Sequence, residues 1–282
     1  MNRTAPQGPA GAAINPTEQL TAGFSWVASA LAFISLLLVI VNLVWPGALP
    51  GKAGWAEAIL VFTTTIATLA SLSRQLPGQN VILAAVVIAG FGGLAHALGA
   101  ATAIPFGPFH FTASAGPKIL NLVAWPMPAI WIIAILNSRG VARLILRPWR
   151  KLRTYGFWLM GITTALTVLF AMALDPFATR VNQYWIWQPS KFPVTWQGAP
   201  LVNFPGWLVV ALLILAFVTP ALINKQPQPK RSPPDYHPLA VWLAALALFA
   251  VGAAVHQLWP ATVFCVSTGI LVTGVAIRGA RW

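Results

Sequence analysis

Five ionisable side chains stand in or beside long apolar stretches of this chain, and they are its best candidates for chemistry. They are Glu57, His96, His110, Asp175 and His256. An ionisable group is costly to place in lipid, so within a membrane protein such a residue marks a functional site by default. Carboxyl and imidazole groups are also the usual acids and bases of proteins. Their presence together indicates proton-transfer chemistry.

Each of these residues also has a structural interpretation. Glu57 at a helix start would interact favourably with the helix dipole, and Asp175 before Pro176 could end a helix. The histidines could bond a neighbouring carbonyl or lie at the interface. No two of them have the close spacing of a metal-binding pair, and no nucleophile elbow supports a serine triad. The sequence therefore predicts no metal and leaves a catalytic and a structural role open.

Tryptophans are concentrated in one part of the chain. Trp185, Trp187 and Trp196 lie in a long connection, and Trp207 follows at the start of the next apolar stretch. The faces of such rings stabilise cations, including carbocations, by roughly 0.5–2 kcal/mol each. The alternative is an interfacial aromatic belt.

The composition excludes a water-soluble protein. Of the 282 residues, 58% are hydrophobic and only 7% are charged, against about 25% charged residues in ordinary soluble domains. A membrane span needs about 20 mainly apolar residues. Eight windows qualify: 25–45, 55–73, 81–104, 119–137, 155–174, 206–223, 238–256 and 260–277. The predicted fold is an all-α polytopic integral membrane bundle of about eight transmembrane helices, with a proline kink or a re-entrant start in the fourth window.

Basic residues orient these predicted spans. Thirteen of the 17 Lys and Arg residues fall on one side, which by the positive-inside rule places both termini in the cytoplasm. Residues 1–21 are predicted to be a disordered cytoplasmic tail, and residues 22–282 a single transmembrane domain. The segment 139–153 is interpreted as a basic interfacial helix or a plain topogenic loop. The net charge of +13 suits anionic lipid headgroups, and no nucleic-acid partner is predicted.

Two predicted outer segments, 105–118 and 175–205, are rich in aromatic residues, glycine and proline. A long connection of this composition is typical of a lid or a binding loop. Because both segments face the same side of the membrane, we expect them to lie together.

Several short motifs resemble those of the membrane carotenoid-biosynthesis proteins, which include carotenoid 1,2-hydratases and bacterioruberin-pathway hydratases. The motifs are Gly99, Pro105-Phe106-Gly107, Gly116-Pro117, Asp175-Pro176, Tyr184-Trp185-Ile186-Trp187, Gly198-Ala199-Pro200, Asn203-Phe204 and Gly206-Trp207. The chain departs from the family pattern at His96, where a glutamate is expected, and at Phe109 and Phe111, where tyrosines are expected. It resembles a divergent member.

The resemblance implies addition of water across the terminal C1–C2 double bond of an acyclic carotenoid or related isoprenoid, without a cofactor or metal. A general acid protonates C2, a tertiary cation forms at C1, and water captures it. Asp175 is the predicted acid, because burial beside aromatic rings favours the neutral carboxyl group. His96 would place water or relay the proton, and Asn203 would hold the water. The predicted substrate-binding residues are Phe106, Phe109, His110, Trp185, Trp187, Trp196 and Trp207.

Two other functions remain as hypotheses. A non-catalytic carotenoid-binding or pigment-protein assembly subunit would use the same aromatic slot. A transporter is disfavoured, because the sequence shows no inverted repeats and no charges at mid-bilayer. In each case the partners are an isoprenoid and membrane lipid, and the expected location is a bacterial or archaeal cell membrane, crossed several times.

Overall fold

The computed structural model describes residues 16–48, 54–189, 194–223 and 233–282. In this part of the chain, eight helices are long and apolar enough to cross a membrane. They are α1 (Pro16–Val44), α2 (Gly54–Ser73), α3 (Gly78–Thr102), α4 (Met127–Ile145), α5 (Tyr155–Pro176), α6 (Asn203–Val218), α7 (His237–Val255) and α8 (Trp259–Ala280). The protein is an all-α polytopic membrane protein, which confirms the predicted fold class.

The helix α4 forms the centre of the bundle. It packs against α2, α3, α5, α7 and α8, and 67% of its most apolar window is buried, compared with 28% for α1, α2, α3 and α8. The outer helices present their apolar side chains to lipid, where an exposed leucine carries no hydrophobic penalty. Close packing of α4 against its neighbouring helices therefore depends on complementary side-chain shapes, and small residues let the helices approach each other.

The fourth span lies further along the chain than predicted. Residues 118–124 form a small hairpin, β2 (Lys118–Ile119) and β3 (Val123–Ala124). Pro126 is the N-cap of α4 and Pro128 lies in its first turn, positions where the missing N–H groups of proline cost nothing. The two prolines therefore begin the helix and do not kink it.

The predicted basic interfacial helix is wrong in its first part. Arg139 and Arg143 belong to α4 itself, and only the short 3₁₀ turn Arg147–Trp149 follows. The Arg139 side chain is buried and donates to the Leu222 carbonyl oxygen at 3.0 Å. This bond allows α4 to continue past its first arginine.

Two further differences concern the ends of helices. α1 begins at Pro16, so the last residues of the predicted tail are helical, while residues 1–15 lie outside the described part. Asp175, predicted to start an outer loop, lies in the last turn of α5. The chain then continues as a π-helix, Phe177–Val181. This wider turn extends the helical backbone beyond Pro176.

Short strands connect the helices on the side of the site. β1 (Phe109–Phe111) pairs antiparallel with β4 (Trp185–Trp187), and β5 (Thr195–Trp196) pairs with β6 (Ala199–Pro200). The first pair joins the two aromatic segments singled out in the sequence. We refer to β1 and β4 together as the aromatic cover.

Candidate functional site

The aromatic cover presents four rings on one face. Its register places Phe109 opposite Trp187 and Phe111 opposite Trp185. Alternate residues of a strand point to the same side, so all four rings face the bundle. The Phe109 ring centroid lies 5.3 Å from that of Trp187, and the Phe111 centroid lies 6.3 Å from that of Trp185. The aromatic cover therefore presents an apolar surface to the ends of the helices.

Asp175 lies beneath the aromatic cover and is 2% exposed. The indole nitrogens of Trp185 and Trp187 donate to its Oδ1 atom at 3.2 and 3.1 Å. The side-chain amide of Asn203, the first residue of α6, donates to Oδ2. The described partners of this carboxyl group are thus three neutral N–H groups from two segments. The i, i+2 spacing of the tryptophans is what lets both reach one oxygen.

His96 is the second polar group of the site. It is 6% exposed, and neither ring nitrogen has a hydrogen-bond partner among the described residues. Its ring stacks on Phe106 with centroids 4.5 Å apart and meets Trp207 edge-on at 5.9 Å. A buried polar group without a partner costs about 1–3 kcal/mol. The buried, unpaired imidazole of His96 therefore indicates a place where a ligand or a water molecule binds.

A small cavity of about 10 Å³ lies between these residues. Its lining residues are His96, Phe109, Phe111, Ala171, Leu174, Asp175, Trp185, Trp187, Asn203 and Trp207. This is roughly the space that one water molecule needs, and a bound water also needs polar partners. The imidazole, the carboxyl group and the amide supply them. The cavity therefore has the size and the polar partners for a single water molecule.

Replacement of the His96 side chain distinguishes a functional role of the imidazole from a packing role. We expect His96→Leu to lower the activity of the protein by about 10²-fold, at the low end of what a proton-transfer group contributes. The same change should preserve or raise the apparent melting temperature, since it removes an unpaired buried imidazole. Thermal unfolding in detergent and an assay of the protein's activity would measure the two effects. His256→Leu is the matched control, because this exposed residue ends α7.

If His96→Leu instead lowered stability while leaving activity unchanged, the imidazole would be a packing residue only. The control variant should change neither quantity appreciably. The opposite movement of stability and activity is the result that identifies a functional group.

The structure brings most of the residues predicted from sequence into one place, with two exceptions. His110 is exposed on the outer face of β1, because its neighbours Phe109 and Phe111 occupy the inner face. Trp196 donates its indole N–H to the Met172 carbonyl oxygen at 2.9 Å and packs against Phe264. Neither residue lines the small cavity. Their role in substrate binding stays a prediction, which the small cavity does not support.

Sequence reasoning missed three lining residues, Phe111, Ala171 and Leu174. Phe111 was noted only as a departure from a family pattern, although its spacing of two from Phe109 would have placed both rings on one face of a strand. Leu174, adjacent to Asp175, carries no signal in the sequence. Within the described part of the chain, no three His, Cys, Asp or Glu side chains lie close enough to bind a metal ion.

These features define a class: a polytopic membrane protein with a small, buried polar site under an aromatic cover. The profile of the carotenoid biosynthesis protein family matches residues 55–272, more than three-quarters of the 282-residue chain. The chain belongs to this family, so it has a role in carotenoid biosynthesis. Comparison with curated proteins and with solved structures gives no significant match.

Proposed function

We propose that the protein hydrates the terminal C1–C2 double bond of an acyclic carotenoid by acid-catalysed addition of water, without a cofactor. The observation that carries the proposal is the water-sized cavity bordered by Asp175, the unpaired His96 and aromatic rings. Hydration of an alkene needs an acid, a water molecule and an environment that stabilises a cation. The site offers all three within one enclosed space.

Asp175 is the proposed proton donor. Both indoles donate to Oδ1, so in the proposed donor state the proton resides on Oδ2. The Asn203 amide, which donates to Oδ2 in the structure, turns by half a turn in this state and presents its oxygen as the acceptor. Transfer of the proton to C2 leaves a carboxylate and a tertiary cation at C1. The three N–H groups around Asp175 then stabilise the new anion. The hydrogen bonds seen in the structure thus fit the charged product of this step.

The cation at C1 would form among π-electron faces. The rings of Trp185, Trp187 and Phe109 border the cavity, and each such contact contributes roughly 0.5–2 kcal/mol. The adjacent carboxylate adds electrostatic stabilisation in a site from which bulk water is excluded. Water capture at C1 forms the C–O bond, and the released proton passes to His96 and back to Asp175. The product is a tertiary alcohol, and both residues return to their starting states.

The membrane provides the route for the substrate. A carotenoid dissolves in the hydrocarbon layer, so the polyene would enter between helices from the lipid. With the orientation set by the basic residues, both termini are cytoplasmic and the site faces outward. The proposed location is a bacterial or archaeal cell membrane.

The test is expression of the protein in cells that accumulate acyclic carotenoids, followed by liquid chromatography with mass detection. The expected result is a carotenoid heavier by one water molecule that is absent from cells carrying the empty vector. Unchanged pigment in both strains would contradict the proposal.

A carotenoid-binding role without chemistry is the second candidate. It is favoured by the closed state of the site, in which both Asp175 oxygens already accept hydrogen bonds. This role predicts that pigment copurifies with the protein and is recovered unaltered. Hydrated product would exclude it.

A further inference from the structure

A second, larger cavity lies inside the helical bundle, apart from the water-sized cavity. Its volume is about 240 Å³, and it lies between α1, α2, α4, α5 and α7. Among the 22 described residues that line it, the polar ones are Ser29, Glu57, Thr64, Tyr184 and His237. A cavity of this size with an apolar wall and a few polar groups is the usual form of a small-molecule site.

The lining positions show that the cavity is elongated. Along α7 they run from His237 through Ala240, Val241, Ala244, Ala245 and Leu248 to Phe249. This repeat of three and four residues marks one face of a helix. At 1.5 Å per residue, the run extends about 18 Å along the helix axis. The space therefore fits a long, thin apolar molecule aligned with the helices.

Polar pairs lie at both ends of this cavity. At one end, the Tyr184 hydroxyl is hydrogen-bonded to the Glu57 carboxyl group, and burial together with that carboxyl raises the pKa of Tyr184 well above its usual value. The phenol therefore stays protonated and is the donor of this bond. At the other end, Ser29 Oγ lies 2.9 Å from His237 Nε2. The polar side chains at each end pair with each other, and the length between them is apolar, as a long hydrocarbon chain requires.

The cavity reaches two other regions. Phe33 lines it and is 59% exposed on α1, so one wall opens towards the surrounding lipid. Leu174 lines both this cavity and the water-sized one. Of the described lining residues, this one alone is shared, and the next residue along the chain is Asp175. The larger cavity and the Asp175 carboxyl group thus lie on opposite sides of Leu174.

We propose that this cavity binds the chain of an isoprenoid lengthwise, with one end beside Glu57 and Tyr184 and next to the Asp175 site across Leu174. Consecutive residues support the arrangement, because Tyr184 bonds Glu57 while Trp185 bonds Asp175. The inference rests on the proposed function only for the reaction at Asp175. The class of ligand follows from the apolar lining, the elongated shape and the family's role.

Filling the cavity tests the proposal. Ala244 lines the cavity on α7, whereas Ala247 on the same helix faces outward. Lycopene, an acyclic carotenoid, serves as the probe: each variant is purified from lycopene-accumulating cells, and the pigment per protein is measured by absorbance. We expect Ala244→Phe to reduce bound pigment about tenfold or more, which corresponds to at least about 1.4 kcal/mol of binding. Ala247→Phe should bind as the unmodified protein does.

Folding is checked by the apparent melting temperature. Filling an empty space should leave it equal or higher, and Ala67→Leu, which enters the same cavity from α2, provides a second variant with a smaller addition. Loss of pigment in either folded variant supports the site. Equal pigment in Ala244→Phe, Ala67→Leu and Ala247→Phe would overturn it, as would the absence of pigment from the unmodified protein.

Mass detection of the extracted pigment separates this inference from the hydration proposal. Pigment that is bound but unhydrated in the unmodified protein, and lost in Ala244→Phe, would support the cavity and contradict hydration. Hydrated product formed equally by Ala244→Phe would support hydration and contradict the cavity.

Discussion

Asp175→Asn is expected to reduce formation of the water-added carotenoid by about 10²–10⁴-fold, the contribution of a positioned general acid. Asparagine keeps the shape of the side chain, and its amide oxygen can still accept hydrogen bonds from Trp185 and Trp187. It cannot deliver a proton to C2. The aromatic cover should therefore remain near its place while the chemistry stops. Product is measured by chromatography with mass detection, normalised to the amount of protein in the membrane.

Asp235→Asn is the matched control, because it makes the same change at a second aspartate, which bonds Gln75 beside the start of α7. It should leave product formation unchanged. Full activity of Asp175→Asn would show that Asp175 is not the acid and that its hydrogen bonds serve only to hold the cover.

Gly92→Ala is expected to lower the stability of the fold markedly. A Cβ atom added at Gly92 would overlap the ring of Trp131, a fully buried residue of α4. Trp131 stacks on Trp207 with centroids 4.1 Å apart, and Trp207 lines the small cavity. The tryptophan cannot move without disturbing its partner. Overpacking of this kind costs about 1–3 kcal/mol, and the site should lose its shape together with the fold.

Gly90→Ala provides the comparison, since Gly90 lies one half-turn earlier on α3 and an added Cβ there meets nothing within 4 Å. Alanine is the better helix former by roughly 0.5–1 kcal/mol, so this variant should be as stable as the unmodified protein or more so. Apparent melting temperatures in detergent measure both. Equal values for the two variants would mean that α3 and α4 separate more easily than their packing indicates.

The sequence predicts the helices of this protein well, because a run of about 20 apolar residues has few other uses. The fourth span shows where this reasoning fails. Residues 118–124, where the predicted span begins, form a hairpin, and α4 instead continues through Arg139, whose guanidinium donates to the Leu222 carbonyl oxygen. Hydropathy cannot foresee a tertiary hydrogen bond, so both ends of this helix are displaced in the same direction.

The site is predicted by residue type more than by position. Rare carboxyl and imidazole groups in an apolar chain indicated Asp175 and His96, and the structure places both at one cavity. The sequence did not show that the segment around His110 contains a strand, whose alternation turns this side chain outward, away from the small cavity. The Glu57–Tyr184 pair was not foreseen, because the helix dipole alone was sufficient reason for a glutamate in the first turn of α2.

The hydrogen bonds that the aromatic cover donates to Asp175 link the stability of the cover to the protonation state of this carboxyl group. β1 and β4 contribute only three residues each, and so short a ladder holds poorly on its own. The indole bonds of Trp185 and Trp187 tie it to the group that is proposed to react. Whenever Asp175 changes protonation, the strength of these two bonds changes as well. In the proposed reaction, the proton that leaves Asp175 and returns to it would therefore also strengthen and weaken the hydrogen bonds that hold the aromatic cover, which would link product release and water entry to the same step.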